Sequence, residues 1–310
     1  MSSREVIILG TASQVPTRAR NHHGAFLRWD ELGILIDPGE GTQRQMTHVG
    51  LAASQITHIF VTHFHGDHCL GLSSVIQRIS LDRVAHPIEI FYPASGQHFF
   101  ERLRYASIYH DQAHLVPRPI TASAGAVEIA IEIGRAGSSR LLAAPLDHGV
   151  DCFGLRLEED AGQRMLPEAL ERAGVRGPRI RDLLTAGHVV IDGKTVTIAE
   201  VSVPRPGQSF AFVMDTRPCP GAEALARGAD LLVCESTYLA SEAEEAHAHG
   251  HMTAEQAATL ALEAGAKRLV LTHFSQRYPS LEGFGVEAGR VFRDVVVARD
   301  LETVPVPKRA

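Results

Sequence analysis

Five short apolar runs, each followed by an acidic residue or a histidine, constrain the fold most strongly. Continuous apolar runs of four or five residues are typical of strands buried on both faces, so we expect helices on both sides of the sheets. Ligands of such layered α/β folds bind beyond the carboxyl ends of the strands. The residues that follow the runs therefore predict the rim of an active site: Asp37, His63, Asp215, Glu235 and His273.

Two amphipathic helices are predicted downstream of these strands. Apolar residues recur every three or four positions over residues 72–79, which indicates one helix. Thr253 and Gln256 have the spacing of a capping box at the start of the other helix. The tripeptide Thr-His-Phe also occurs twice, at 62–64 and at 272–274, each time at the end of an apolar run. This repeat favours two halves of similar build that face one site.

Composition narrows the class of protein. With 30 Lys and Arg against 36 Asp and Glu, the formal net charge is -6, so an RNA partner requires a local basic patch or bound cations. No apolar run has the length of a transmembrane helix and we expect no secretory signal, so no membrane partner is predicted. The four cysteines form no Cys-x-x-Cys pair, which argues against disulfides and thiolate zinc sites and favours a cytoplasmic protein.

We interpret the whole chain, residues 1–310, as a single domain. Residues 157–196 differ in composition from the rest of it. This stretch has few apolar runs and several glycines, as in an excursion from a folded core. Four arginines lie near its centre with no acidic residue between them: Arg172, Arg176, Arg179 and Arg181. We therefore predict an inserted flexible arm with a basic tip; a solvated loop without function is the alternative.

The strongest functional signal is the sequence His-Phe-His-Gly-Asp-His at positions 63–68, directly after a predicted strand. Residues two apart in an extended segment point the same way, so His63 and His65 are able to share one metal ion. The glycine that follows allows a turn, which directs Asp67 and His68 towards a second ion. Imidazole and carboxylate ligands without thiolates are typical of catalytic zinc.

These residues do not complete two zinc sites, so further ligands must come from elsewhere in the chain. His148, in the sequence Pro-Leu-Asp-His-Gly, and the run-ending Asp215 and His273 are the candidates, with the aspartate bridging both ions. The first predicted set is His63, His65, His148 and Asp215, and the second is Asp67, His68, His273 and Asp215. Zinc is the default, although nitrogen and oxygen ligands also accept manganese (Mn²⁺) or iron.

The 63–68 motif resembles that of the metallo-β-lactamase superfamily, and other segments resemble the ribonuclease Z family of tRNA 3′-processing enzymes within it. The similar segments follow in order along nearly the whole chain: residues 10–11, 16–21, 37–43, 177–187, 235–238, 251–254 and 273–278. The resemblance implies an α/β fold, a four-layer αβ/βα sandwich with a protruding inserted arm that binds tRNA outside the active site. It also implies a homodimer in which one subunit's arm holds the tRNA for the other subunit.

The resemblance further implies the reaction, in which two zinc ions activate a water that cleaves precursor tRNA and leaves a 3′-hydroxyl. Asp67 is expected to hold zinc and to accept the proton of that water. His251, oriented by Glu235, is the expected donor to the leaving oxygen, whereas His247 and His249 are interpreted as part of a solvated loop. Substrate contacts are predicted for Arg18, Arg20, Asn21, Arg277 and Tyr278 and, in the arm, for Gly177, Pro178 and Arg179.

Two other interpretations stay open. The first is a small-molecule hydrolase of the same fold, of the phosphodiesterase, arylsulfatase or thioesterase type, which needs no distant arm to hold its substrate. The second is a non-catalytic RNA-binding protein, since degenerate lobes of this fold lose metal ligands. All seven predicted ligands are present in this chain, which favours an enzyme.

Overall fold

The computed structural model describes residues 4–121 and 129–308. It contains two compact units, a larger one made of the chain up to Leu157 and from Ser209 onward, and a smaller one, Glu158–Gln208. The segment predicted as an inserted arm, 157–196, falls almost entirely within the smaller unit, which continues to Gln208.

The first part of the larger unit alternates strands and helices. Its elements are β1 (Arg4–Gly10), β2 (Ala12–Ser13), β3 (Gly24–Trp29), β4 (Leu32–Ile36), α1 (Thr42–His48), β5 (His58–Phe60), α2 (Gly66–Cys69), α3 (Leu72–Leu81), β6 (Ile88–Pro93), α4 (Gln97–Arg104), β7 (Leu115–Ile120), β8 (Ile131–Ala136), β9 (Ser139–Pro145) and β10 (Phe153–Glu159), with 3-10 turns at Ala53–Gln55 and Ala94–Gly96.

The smaller unit has two-stranded sheets and short helices. Its elements are β11 (Gly162–Met165), α5 (Pro167–Arg172), α6 (Pro178–Ala186), β12 (His188–Ile191), β13 (Lys194–Thr197), α7 (Ile198–Val201) and β14 (Ser202–Arg205). A small apolar cluster of its own, which includes Leu170, Val175, Leu183 and Val201, holds these elements together.

The chain then completes the larger unit. The remaining elements are β15 (Ser209–Val213), α8 (Pro220–Ala226), β16 (Leu231–Glu235), α9 (Ala243–His249), α10 (Ala254–Glu263), β17 (Leu269–Thr272), β18 (Phe274–Ser275), α11 (Glu282–Gly289), β19 (Val295–Val297) and β20 (Thr303–Pro305), with a 3-10 turn at Ala240–Glu242.

Two seven-stranded sheets form the centre of the larger unit, in the orders β20-β1-β3-β4-β5-β6-β7 and β19-β17-β16-β15-β10-β9-β8. Strands β4 to β7 pair in parallel in the first sheet, and β15, β16, β17 and β19 do so in the second. Within each sheet, the carboxyl ends of these strands therefore lie at one edge, where the sequence predicts the site.

Three apolar clusters hold together four layers of helices and sheets in the larger unit. One core cluster joins the inner faces of the two sheets and includes Ile8 and Phe60 of the first and Phe210 and Phe212 of the second. A second cluster packs α3 and α4 on the outer face of the first sheet, and a third packs α8, α10 and α11 on the outer face of the second. This helix–sheet–sheet–helix arrangement confirms the predicted α/β sandwich.

The two predicted helices are present. In α3 the predicted apolar stripe is buried, and α10 begins with the predicted capping box, in which Thr253 Oγ1 accepts from the Gln256 amide at 3.2 Å. The strand before the metal-ligand motif is shorter than expected, because β5 ends at Phe60 and the next two residues already turn towards the site. Among the described residues, no helix has the length and apolar character needed to span a membrane.

Candidate metal centre

Seven predicted ligands from distant parts of the chain meet at the edge where β5, β15 and β17 end. Their ligand atoms form two groups, within each of which all atoms lie within 4.8 Å of one another, and a third group of the same kind joins Asp215 and His273 to His251. The first group contains His63, His65, His148 and Asp215, and the second contains Asp67, His68 and His273. The structure therefore brings all seven together, and the grouping follows the predicted division.

In the first group, the ring nitrogens face one another at short range. His65 Nδ1 lies 3.0 Å from His63 Nε2 and 3.3 Å from His148 Nε2. Asp215 Oδ2 lies 3.6 Å from His63 Nε2 and 3.7 Å from His148 Nε2. A tetrahedral zinc with bonds of 2.0–2.1 Å requires ligand atoms about 3.3 Å apart, so these separations suit one cation.

The second group has the same spacing. His68 Nε2 lies 3.2 Å from His273 Nε2, and Asp67 Oδ2 lies 3.3 Å and 3.4 Å from these two nitrogens. Asp215 Oδ2 is also 3.2 Å from His68 Nε2. The same carboxylate oxygen thus reaches both groups, as expected for a ligand that bridges two ions.

Hydrogen bonds on the side away from the cluster orient the buried imidazoles of His63 and His68. Thr62 Oγ1 donates to Asp37 Oδ2 at 2.8 Å and therefore accepts from His63 Nδ1 at 2.9 Å. His68 Nδ1 donates to the same Asp37 oxygen at 2.9 Å. Each ring therefore donates through Nδ1 and directs Nε2 to the cluster, the orientation that a metal ligand requires.

Two further imidazoles are oriented in the same way. Thr237 Oγ1 donates to Glu235 Oε2 at 2.6 Å and accepts from His273 Nδ1 at 3.0 Å. His148 Nδ1 donates to the carbonyl of Gly250 at 3.0 Å. Four of the five ligand histidines therefore have a second partner that turns Nε2 inward, and only His65 faces the cluster through Nδ1.

The charge distribution also suits a cation. Burial by itself lowers the pKa of the fully buried His68, but the carboxylates of Asp215 and Asp67 outweigh burial and raise that pKa well above its ordinary value. The cluster thus attracts positive charge to its centre. Asp215 Oδ1 is buried and has no hydrogen-bond partner among the described residues, although His273 Nδ1 lies 3.2 Å away. These donors fit a metal-binding site.

Three strand-end residues of the site have left-handed backbone conformations, with φ of 48° at Asp37, 46° at Asp215 and 64° at His273. Non-glycine residues seldom adopt positive φ, although Asp and His tolerate it better than most. The sharp turn at each position redirects the chain at the end of a strand, so the side chain points into the cluster.

His251 and Glu235 form a buried pair beside the ligands. His251 Nδ1 lies 3.0 Å from Glu235 Oε1, which also accepts from the Thr216 amide at 2.7 Å. Burial lowers the pKa of His251, but the carboxylates of Glu235 and Asp215 outweigh it and raise the pKa to about 9. The two carboxylates therefore favour the protonated imidazole, which is the state of a proton donor.

A cavity of 690 Å³ opens above the cluster. Ligands Asp67, His148 and Asp215 line it together with His251, so the metal-binding groups and the proton donor share one space. Its remaining walls come from the segments that follow β2, β16 and β17 and from the helices α2 and α9. This arrangement suits hydrolysis of a bond held between the cluster and His251.

The predicted substrate-contact residues of the larger unit have internal partners, with one exception. Arg20 Nη2 donates to the carbonyls of Ser275 and Tyr278, both at 3.1 Å. Asn21 Nδ2 donates to the Glu40 carbonyl at 2.8 Å. Arg18 is exposed, and a role in substrate binding stays a prediction for all of these residues.

Arg277 and Tyr278 also make contacts within the protein. The guanidinium of Arg277 pairs with Glu242 and Glu245 and lies 4.9 Å from the centre of the Tyr238 ring. Tyr278 Oη accepts from the Leu239 amide at 3.1 Å.

The arm residues lie in the smaller unit. Gly177, with φ of 58°, precedes α6, Pro178 is the first residue of that helix, and Arg179 is exposed. His247 and His249 are exposed as expected, but they lie in α9 rather than in a loop.

Sequence reasoning missed several residues that support the ligands. Asp37 was predicted at the rim, yet its partnership with Thr62 and His68 depends on a contact across two strands that no local pattern reveals. Thr237 and Gly250 were likewise missed, because each meets its histidine only through the fold.

His23 lies beneath the second ligand group and was also missed. It is completely buried, its ring centre is 5.5 Å from that of His68 and 5.7 Å from that of His273, and Phe212 packs 5.6 Å away. Neither of its ring nitrogens has a hydrogen-bond partner among the described residues. Burial is the main reason that the pKa of His23 lies well below its ordinary value, so the ring is neutral.

Comparisons with known proteins agree with this geometry. A family model described as a beta-lactamase superfamily domain matches residues 185–274, and one described as anti-Pycsar protein Apyc1 matches residues 4–104. The protein named ribonuclease Z in Nocardia farcinica is 54% identical over 310 residues, and the alignment covers 100% of both chains. The protein of that name in Salinispora arenicola is also 54% identical over 310 residues, covering 100% of this chain and 98% of its own.

Solved structures show the same fold. The short form of human tRNase Z superimposes with a TM-score of 0.73 at 27% identity and covers 98% of this chain and 100% of its own. The metallo-beta-lactamase fold protein YhfI of Bacillus subtilis superimposes with a TM-score of 0.69 at 17% identity, covering 98% and 99%. The second of these likenesses concerns the fold alone.

Proposed function

The chain belongs to the ribonuclease Z family, and we propose that it is an endoribonuclease that removes the 3′ trailer from precursor tRNA. The observation that carries this proposal is that Asp215 Oδ2 reaches both ligand groups beside His251, whose Nδ1 is bonded to the buried Glu235. A site with these features suits hydrolysis of a phosphodiester, because the negative charge that develops on the phosphoryl oxygens would face bound cations while the leaving oxygen would face an acid.

The proposed cofactors are two Zn²⁺ ions per chain, with Mn²⁺ as a possible substitute. His63, His65, His148 and Asp215 would hold one ion, and Asp67, His68, His273 and Asp215 would hold the other. When bound, such a pair supplies Lewis-acid catalysis and activates water at neutral pH. Nitrogen and oxygen donors without a thiolate are the ligand set expected for a catalytic zinc site.

The protein's own side chains move the protons. Asp67 Oδ2 accepts from the Gln14 amide at 2.7 Å and lies at the cavity, where it would take the proton of the attacking water. His251 would donate its proton to the 3′ oxygen of the tRNA as that oxygen leaves. Glu235 keeps the donor charged and oriented through the bond to its Nδ1. The products would be a tRNA with a 3′-hydroxyl and a trailer with a 5′-phosphate.

Substrate binding would combine the cavity with the smaller unit. We propose that Arg18 and the loop that contains Arg277 and Tyr278 contact the acceptor end, with Arg20 and Asn21 shaping that surface. Gly177, Pro178 and Arg179 would contact the tRNA body outside the site. We also propose a homodimer that acts in the cytoplasm, and light scattering on the purified protein tests the subunit number.

Cleavage of a precursor tRNA with mapped ends tests the function. We expect one cut at the trailer boundary, loss of cutting with a chelator, and recovery when zinc is restored. Hydrolysis of bis-p-nitrophenyl phosphate without cleavage of the precursor would instead favour a small-molecule hydrolase. Binding of the RNA without hydrolysis of either substrate would favour a non-catalytic RNA-binding protein.

Removal of residues 173–184 separates the arm from the chemistry. If the smaller unit holds the tRNA, the deletion abolishes precursor cleavage and leaves hydrolysis of bis-p-nitrophenyl phosphate unchanged. Equal loss of both activities would contradict the proposed role of the arm.

A further inference from the structure

Arg217 lies two residues after Asp215 and connects three segments of the site. Its Nε donates to the carbonyl of His247 at 2.7 Å, in the last turn of α9. Its Nη1 donates to Asp147 Oδ1 at 3.1 Å, one residue before the ligand His148. Its backbone amide donates to the Asp147 carbonyl at 3.0 Å. One side chain therefore joins the Asp215 loop, the His148 loop and the end of α9.

The end of α9 leads directly to the proton donor. Gly250 follows the helix with φ of 79°, its carbonyl accepts from His148 Nδ1, and His251 is the next residue. A Cβ at Gly250 would lie only 2.8 Å from His148 Nδ1 and 3.6 Å from Arg217 Nη1, so the three groups are closely packed. A shift of this helix end would therefore move His251 relative to the metal ligands.

Helix α9 has little packing of its own to resist such a shift. It has seven residues, and Ala246 is its only buried residue. Helices this short are unstable without tertiary contacts, since most of their backbone hydrogen bonds cannot form within the helix. Glu245, near its start, pairs with Arg277, and the His247 carbonyl near its end accepts from Arg217. A cation at a helix C-terminus is also favoured by the helix dipole.

We propose that Arg217 is a positioning residue that holds His251 beside the metal ligands. The inference rests on the proposed function, in which His251 protonates the leaving oxygen. The planar guanidinium donates to a carbonyl and to a carboxylate at once, which an ammonium group on a flexible chain does not do with the same geometry. Arg217 is not among the described residues that line the cavity, and its side chain is 23% exposed, so it acts through His251 rather than on the RNA.

Substrates that differ only in the leaving atom test this role. Arg217→Lys and Arg217→Gln are assayed on a precursor tRNA with the normal 3′ oxygen and on one with a bridging 3′ sulfur at the cut. A thiolate leaves without protonation, so misplacement of the acid affects only the oxygen substrate. We expect kcat to fall about 10- to 100-fold on the oxygen substrate, the range for a misplaced catalytic group, with KM little changed. Cleavage of the sulfur substrate should change by less than about threefold.

A double variant separates an effect through His251 from a general structural effect. If Arg217 acts through the histidine, Arg217→Gln in a His251→Ala background costs nothing further, because the acid is already absent. Arg227→Gln, at the exposed end of α8, is the matched control and should leave both substrates unaffected.

Besides unchanged cleavage by the variants, three outcomes would overturn the inference. The first is an equal fall on the two substrates, the second is additive loss in the double variant, and the third is loss of bound zinc in Arg217→Gln, which would show that the arginine supports His148 instead. If the unmodified protein cuts precursor tRNA and the Arg217 variants cut it equally well, only this inference fails. If the unmodified protein does not cut it, the proposed function itself fails.

Discussion

Two buried carboxylates, Asp37 and Glu235, build the two sides of the site in the same way. Each accepts from a threonine hydroxyl that in turn receives a ligand histidine: Thr62 with His63 on one side, and Thr237 with His273 on the other. The sides differ in the second imidazole that each carboxylate binds. Asp37 binds a ligand, His68, whereas Glu235 binds His251, which we propose as the acid.

This difference shows that one local arrangement serves two purposes. On the Asp37 side, both histidines donate through Nδ1 and direct Nε2 to the metal position. On the Glu235 side, one histidine does so and the other keeps a second proton, because its pKa is raised to about 9. Replacement of Asp37 should therefore affect mainly metal binding, whereas replacement of Glu235 should affect mainly the pH dependence of cleavage.

The largest effect is expected for Asp37→Asn. The carboxylate accepts from the Thr62 amide, the Thr62 hydroxyl and His68 Nδ1, and all three donors are buried. The variant should lose about 10- to 100-fold in zinc affinity, as expected when the partner of a ligand histidine is removed. It should also lose about 1–3 kcal/mol of stability from unsatisfied donors.

Competition with a chelator and thermal unfolding of the metal-free protein measure the two quantities. The matched control is Asp82→Asn, at the exposed end of α3, which should change neither. An unchanged zinc affinity in Asp37→Asn would contradict the role of Asp37 in supporting metal binding, and with it the difference from Glu235.

Glu235→Gln should change the pH profile more than the metal content. Without the carboxylate, burial is opposed mainly by Asp215, and the pKa of His251 falls from about 9 towards the ordinary value for histidine. The alkaline limb of kcat therefore moves to lower pH, and at pH 8 cleavage falls about tenfold or more, within the range for loss of acid catalysis. An unshifted alkaline limb would argue that His251 is not the titrating acid.

Three threonines give a finer test of the two sides. Thr62→Val and Thr237→Val each remove the acceptor of a ligand histidine and should weaken zinc binding by about tenfold. Thr272, the threonine of the second Thr-His-Phe repeat, has a buried hydroxyl with no partner among the described residues. Thr272→Val should therefore leave zinc affinity unchanged, and comparable losses in all three variants would contradict the assigned partners.

The smallest effect concerns His23, which lies beneath the two sides. Its nitrogens are buried without partners in the described part of the chain, so His23→Leu should stabilise the metal-free protein by about 1 kcal/mol. His58 is the control, since it is also buried but its Nδ1 lies 2.8 Å from Thr57 Oγ1. Urea denaturation that shows equal destabilisation by both leucine variants would reveal a partner for His23.

The residues that the structure brings together at the cluster could be selected from sequence because most of their signals are local. The 63–68 motif places alternate residues on one side of an extended segment, and Asp215 and His273 directly follow apolar strands. The supporting residues could not be predicted in this way. Asp37 and Thr62 meet beyond the ends of the paired strands β4 and β5, and Thr237 and His273 meet beyond the ends of β16 and β17. Sequence patterns report the residues that end a strand, but not which neighbouring strand end will face them.

The Thr-His-Phe repeat illustrates the limit. It predicts two similar halves, and both of its histidines reach the cluster. Only the first threonine, Thr62, hydrogen-bonds the histidine of its own tripeptide. His273 is bonded instead by Thr237, which follows β16. The same tripeptide therefore follows two strands, but its two threonines do not make the same hydrogen bonds.

The central claim is that Asp215 bridges two adjacent cations. Anomalous diffraction at the zinc edge, from crystals of the zinc-loaded protein, measures this directly. We expect two peaks per chain about 3.5–4 Å apart, one on each side of the Asp215 carboxylate. A single peak, or two peaks too distant to share that carboxylate, would contradict it.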